Sequence, residues 1–363
     1  MKKTIGRVIK ILAWMMIFVF LVNSLGIFVR PQEKDYDVWH YFYKEDNDTL
    51  NTLFIGSSAM YRYWIPTQAY EEQNFTSYML AQSSQDMRTI PYIMEEAVKS
   101  QDVDLFVVET RPVVTDRAKI LRGIFEQKEE TYYLSRVTVG MKASLTRAKL
   151  IHDLLVEDEE NLEMEWMFPL LKYHDTLLEM TWKDIKKRLF LGKHSYKFAR
   201  QVSSITPQEQ MQYVDEEPYV LTREDKEKID AIVEKANALE KDVLFIATSY
   251  IPTDLRYYLQ KDLDDYMEQK QYSYVNLNQK NEIGLDYSTD FYDENHVNIA
   301  GARKTTSYLA DYLANHYTFH NRLSERQSQE WELAKETWKK KEKKLMKKWK
   351  KKCKNTEMQG EAI

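Results

Sequence analysis

The feature that most constrains this chain is an apolar run from Ile11 to Val29, broken only by Asn23, Ser24 and Gly26. At roughly 1.5 Å per residue, such a run comes close to the hydrocarbon thickness of a bilayer and predicts one transmembrane helix. Lys2, Lys3, Arg7 and Lys10 precede it, and Arg30 alone follows it directly. By the positive-inside rule the N-terminus lies in the cytoplasm and everything after Arg30 lies outside. A cleaved signal peptide also starts with basic residues, but this run is long for an h-region and no small-residue cleavage pattern follows. A buried core helix is the other reading, and a helix apolar on every face at the extreme N-terminus suits it poorly. The expected address is a cell membrane, crossed once, with the main domain extracytoplasmic.

The remaining 333 or so residues, with 43% hydrophobic content overall, can pack one large α/β domain with appendages or two small ones. The single Cys353 excludes an intramolecular disulfide framework and a cysteine-built zinc site, and it lies at the wrong end for a lipoprotein. Nine glycines are few, and no glycine-rich dinucleotide or P-loop string occurs, so no nucleotide cofactor is expected. The net charge of −5 is asymmetric. Residues 339–354 carry eleven lysines against Glu342, a balance of +10, which leaves about −15 on the rest. A body that acidic does not suit nucleic acid, whose binding needs cations to neutralise phosphates.

Residues 31–48 are polar and aromatic without clear periodicity and read as a spacer, with an ordered domain over 49–318 and a basic tail over 319–363. TLFIGSSA (52–59), VDLFVVET (103–110) and KDVLFIATSY (241–250) are short apolar runs ending in small or polar residues, as buried parallel strands are. FTSYML (75–80) and YSYVNL (272–277) are weaker strand candidates. Helical stretches at 89–100, 223–241 and 255–270 precede the third, fourth and fifth strands. Strands alternating with helices predict an α/β, flavodoxin-like three-layer domain with about five parallel strands and right-handed crossovers. The Leu-, Met-, Trp- and charge-rich interval 115–210 breaks that rhythm and reads as a helical insertion over the strand ends.

Gly56-Ser57-Ser58 closes the first strand, where the amides of the next turn can face a reacting oxygen. Asp293 and His296 lie near the end of the domain, on a loop just before a helix. A serine nucleophile needs a base, and the base needs an orienting carboxylate. At these residues the chain resembles the SGNH/GDSL hydrolase superfamily, with its serine in a GDS or GSS motif after the first strand and its Asp and His in a terminal DxxH. The resemblance implies Ser58 as nucleophile, His296 as general base and acid, and Asp293 as the group that sets the imidazole tautomer. Ser57, where many relatives have Asp, is expected to be structural. The oxyanion hole would use the amides of Ser58 and of Ser84, which stands where the family's second motif has glycine. The family's third motif, GxND, has no match, since Glu109-Thr110-Arg111-Pro112 follows the third strand. In that respect the chain is more similar to the membrane-anchored branch, which includes the D-alanyl-lipoteichoic acid transfer protein and the alginate-acetylation accessory proteins.

The resemblance implies ester chemistry on a cell-envelope polymer, by hydrolysis or by transfer to a hydroxyl, with an integral-membrane O-acyltransferase as a further partner. The residues alone fit both reactions. A different reading is a non-catalytic anchored partner that uses the same fold to hold a polymer or a membrane-bound acyltransferase. Arg111 could bind a carboxylate or phosphate, although a structural ion pair is the commoner use of such a residue. His316 and His320 lie four apart, but no third metal ligand is recognisable, so no metal is expected. In the tail, Trp331, Ala334, Trp338, Leu345 and Trp349 make an apolar stripe among lysines. That pattern suits either a solvated helix or docking on anionic lipid or wall polymer.

Overall fold

A computed structural model describes residues 2–29, 37–124, 136–138, 140–155, 163–190, 192–209, 219–252 and 254–360. Five parallel strands, β1 (Thr52–Gly56), β2 (Ser77–Ala81), β3 (Leu105–Glu109), β4 (Asp242–Ala247) and β5 (Tyr274–Asn276), form a sheet in the order β2-β1-β3-β4-β5. Every residue of β1, β2 and β3 is buried, which is why these strands are short, continuous apolar runs without alternation. Helices pack in two groups, as crossovers on both faces require. Pro66–Gln73 meets Ile299–His316, while Ile90–Ala97 meets Arg223–Ala238 and Arg111–Leu121 meets Asp254–Lys270. An antiparallel pair, β6 (Phe291–Asp293) and β7 (His296–Val297), stands apart from the sheet.

Three expectations change. The stretch read as a spacer contains a short helix, Asp37–Phe42, whose Val38, Trp39 and Phe42 belong to the main core; Val38 accepts a 3.0 Å bond from Tyr78 at its carbonyl. Residues 31–36 of that stretch lie outside the described residues. The tail is a single helix, Glu325–Gly360, and its stripe is occupied: Trp331 and Trp338 are core residues, and Trp349 donates to the Thr289 carbonyl at 2.9 Å. The opposite side of that helix faces solvent, with Glu332, Leu333 and Glu336 exposed in its first half and lysines in its second.

The insertion meets the strand ends only in part: Thr115, Asp116, Lys119 and Arg122 line a cleft there with Ser57 and Ser58, but a later part turns away. Leu145–Leu155 packs on the flanking helix Ile90–Ala97, with Ser144 bonded to Glu96 and Thr146 to Glu95, both at 2.7 Å. Residues 125–135, 156–162 and 210–218 lie outside the description. The return segment, residues 192–209, crosses back with Lys197 and Phe198 both in the left-handed region at φ 51° and 72°. A fully enclosed Lys197–Glu45 pair at 2.6 Å holds that strained turn. Burial pushes the His194 imidazole down to about 3, and its Nδ1 accepts from the Phe198 amide at 2.9 Å.

The N-terminal helix runs from Lys2 to Val29 and exposes Ile11, Trp14, Phe18 and Leu25. Over the residues whose side chains are described, no helix is long and apolar enough to cross a membrane. In this helix the side chains at positions 2, 3, 20, 23, 24, 27 and 28 are outside that description.

Candidate active site

The carboxyl ends of β1 and β3 and the segments that follow β2 and β4 converge on one cleft, the usual location of ligands in open α/β sheets. β1 stops at Gly56 because the next residues start a helix, Ser58–Tyr63, with Ser57 as its N-cap. The Ser57 hydroxyl accepts from the Ala59 amide at 3.3 Å, while the Ser57 amide and hydroxyl both donate to Glu109 Oε2 at 2.7 Å. Glu109 approaches so closely that a Cβ on residue 56 would sit 2.6 Å from the Glu109 Cβ, so only glycine fits there. Ser57 is thus a structural serine, and Ser58, the first helical residue, presents its side chain to the cleft.

The DxxH spacing has a geometric reason. Asp293 and His296 are direct partners across the β6–β7 hairpin, with Glu294 and Asn295 as its turn. Asn298, two residues on, caps Ile299–His316 by accepting from the Ala300 amide at 2.9 Å and donates to the carbonyls of Thr289 and Ser204 at 2.7 and 3.1 Å. Gly301 lets the helix close on this loop, since a Cβ there would lie 2.7 Å from the Asp290 carbonyl oxygen and from the Val297 Cβ.

The three residues meet. Ser58 Oγ lies 2.7 Å from His296 Nε2, and His296 Nδ1 lies 2.8 and 3.0 Å from the two oxygens of Asp293. The Asn295 amide donates to Asp293 at 2.8 Å. Burial alone would raise Asp293, but the His296 hydrogen bond and charge, the Asn295 amide and the Arg111 cation hold it below its ordinary range. Burial lowers His296; the Asp293 hydrogen bond opposes this, and the charges of Arg111 and Arg62 add to it. The imidazole is therefore neutral at neutral pH, able to take a proton from the serine.

No protein-family model matches the chain, and a search of curated proteins finds no match to it.

Ser84 lies in the cleft after β2 at φ 50°, the left-handed backbone that glycine adopts most easily. Arg111 also lines the cleft but is committed elsewhere: it is 5% exposed, pairs with Glu109 at 3.4 Å and donates to the Asn295 carbonyl. Its main role is to tie the end of β3 to the Asp293–His296 turn. Arg256 ties the same turn from the other side, through the Asn295 side-chain carbonyl and the Ile251 carbonyl.

Sequence reading passed over Glu109, Arg256 and Gln85. Glu109 is fully enclosed and also accepts from Thr248 at 3.1 Å. An acid as the last residue of a fully apolar strand is the signal that could have found it. Gln85 lines the cleft beside Ser58 and Ser84, and neither its amide nitrogen nor its oxygen has a hydrogen-bond partner among the described residues. Asp116 also lines the cleft, and burial pushes its carboxyl up to about 7. His316 and His320 do not share a helix, since Ile299–His316 ends at the first; His316 donates to the Tyr312 carbonyl and His320 lies 3.7 Å from Asp104.

Proposed function

We propose that the chain is a membrane-anchored, extracytoplasmic serine esterase or O-acyltransferase of the SGNH/GDSL type, acting on acyl esters of a cell-envelope polysaccharide or teichoic-acid-type polymer. One observation carries the reading: Ser58, His296 and Asp293, drawn from opposite ends of the domain, form an unbroken hydrogen-bonded chain that opens on a cleft. A serine, a histidine and a carboxylate in that order are the parts acyl transfer needs.

In the proposed reaction Ser58 Oγ attacks the ester carbonyl while His296 Nε2 takes its proton. The carbonyl oxygen gains the negative charge, which the amides of Ser58 and Ser84, two residues lining the cleft, would hold. Collapse of the tetrahedral intermediate expels the alcohol, which leaves with the proton from His296, and an acyl-Ser58 ester remains. Water or a second hydroxyl then enters by the same steps in reverse, giving hydrolysis or transfer. Four cations, Arg111, Lys119, Arg122 and Arg256, line the cleft against two acids, Asp116 and Glu294, and although Arg111 and Arg256 are tied to the protein, that balance supports an anionic polymer over a neutral lipid. The apolar helix behind a basic N-terminus supports the anchor.

A fluorophosphonate probe tests the reaction class. It should label the wild type and lose nearly all signal in Ser58→Ala, while Ser57→Ala still labels. Equal labelling of Ser58→Ala would remove the catalytic reading.

A further inference from the structure

Outside the N-terminal helix, the exposed large apolar side chains of the described residues concentrate between positions 171 and 190. Leu178, Trp182 and Phe190 are 89%, 79% and 81% exposed, and Leu171 and Leu189 about half exposed. Trp182, Leu189 and Phe190 lie one, eight and nine places along a helical turn system, and so share one face of Trp182–Leu189 and its end. This helix is well formed: Thr181 and Asp184 make a capping box, with the Asp184 side chain accepting from the Thr181 amide at 3.0 Å. Lys183 and Lys186 are exposed beside these side chains, Lys186 one turn after Trp182 and one turn before Phe190, where a long aliphatic stem can carry the ammonium away from the apolar surface. A cluster of large apolar side chains this exposed is the mark of a surface that meets another apolar medium.

Its position supplies the use. The short helices Pro169–Lys172, Thr176–Glu179 and Trp182–Leu189 pack on the N-terminal helix. The first two meet its last turns: Pro169 lies against Gly26, and Thr176 donates its hydroxyl to the Val29 carbonyl at 2.7 Å. There the N-terminal helix changes from exposed, at Leu25, to buried, at Gly26 and Val29. The segment is also fixed to the body, because the enclosed Arg147 donates to the carbonyls of Thr138, Trp166 and Met167.

We propose that residues 169–190 form a platform in the outer leaflet of the bilayer, with Trp182, Leu189 and Phe190 among the upper acyl segments and Lys183 and Lys186 at anionic headgroups. Trp beside Lys, on an amphipathic helix lying at the end of a spanning helix, is the chemistry of the membrane–water boundary. The inference rests on reading Lys2–Val29 as the anchor. The platform joins that anchor to the catalytic domain at a fixed angle and height.

The test uses the full chain in vesicles of phosphatidylcholine and phosphatidylglycerol. Cys353→Ser removes the native thiol, and Phe190→Cys then carries an environment-sensitive fluorophore; Leu333→Cys, on the exposed side of the C-terminal helix, serves as control. The label at 190 should be blue-shifted and quenched by lipids brominated on the upper acyl chain, and the label at 333 should not. Labelling of each variant by the serine probe confirms its fold. A 190 label in water, on chains that float with the vesicles after a high-salt wash, would overturn the platform and leave the anchor standing. Protection at 190 in native membranes but not in lipid vesicles would overturn it in favour of an integral-membrane protein as occupant. Chains that fail to float would overturn the anchor, and the platform with it.

Discussion

The proposed reaction requires a neutral His296, so its pH dependence has a definite sign. The folded pKa lies below the ordinary 6.5, because burial disfavours the imidazolium more than Asp293 restores it. Activity should therefore be full at neutral pH and fall on acidification with a midpoint below 6.5, read from kcat/KM against pH. An acid limb centred above that value would contradict the site as drawn. Asp293→Asn should keep the fold and lower kcat by up to about four orders of magnitude, since the imidazole loses its tautomer partner. Ser58→Ala and His296→Ala should each remove most turnover, and their combination should be little worse than either alone. Glu109 acts differently, through structure. It accepts from Ser57 twice and from Thr248, and it neutralises the buried Arg111. Glu109→Ala removes that guanidinium's ion-pair partner and should lower unfolding stability by about 3–5 kcal/mol in chemical denaturation. A loss under about 1 kcal/mol would show that the pair is dispensable.

At the level of elements, what could be read from sequence followed from how each element meets its surroundings. Strands buried on both faces stand out as unbroken apolar runs, so all five were recognisable, including the weak pair at 75–80 and 272–277. GSS and DxxH could be read for a related reason, because a strand end and a two-residue hairpin fix side chains by local spacing alone. The helix Asp37–Phe42 was not legible: six residues give less than two turns, too few for a period to emerge from a polar stretch. Nor could the sequence show what covers the stripe of the C-terminal helix, since a stripe docked on the body has the same spacing as one docked on a membrane. That difference changes the expected effect of truncation. Deleting residues after Ser324 removes Trp331 and Trp338 from the core and should unfold the domain, and Trp338→Ala alone should cost about 3–5 kcal/mol in thermal or chemical denaturation. Replacing the exposed Lys340, Lys344, Lys347 and Lys351 with glutamine should instead leave the fold intact and weaken salt-sensitive binding to anionic vesicles or teichoic acid. Unchanged binding at low salt would leave those lysines as a solvated face.

For the whole molecule, the proposed topology places the long charged body on one side of the membrane and ten residues on the other. A reporter fused after Ile363 should be active only outside the cytoplasm, and a shortened, soluble product would show instead that the apolar run is cleaved. The C-terminal helix adds a constraint on timing. It packs on Pro66–Gln73 and Ile299–His316, and its Trp331 and Trp338 sit in the same core as the first strand. A chain made and threaded from its N-terminus cannot close that core until residue 338 has emerged. Ser58 is among the first parts of the domain to appear and His296 among the last, so the nucleophile waits, unpaired with its base, for most of synthesis. In the proposed enzyme, assembly of the catalytic centre therefore waits for Trp338, and a product that stops short of that residue is expected to be inert from the outset.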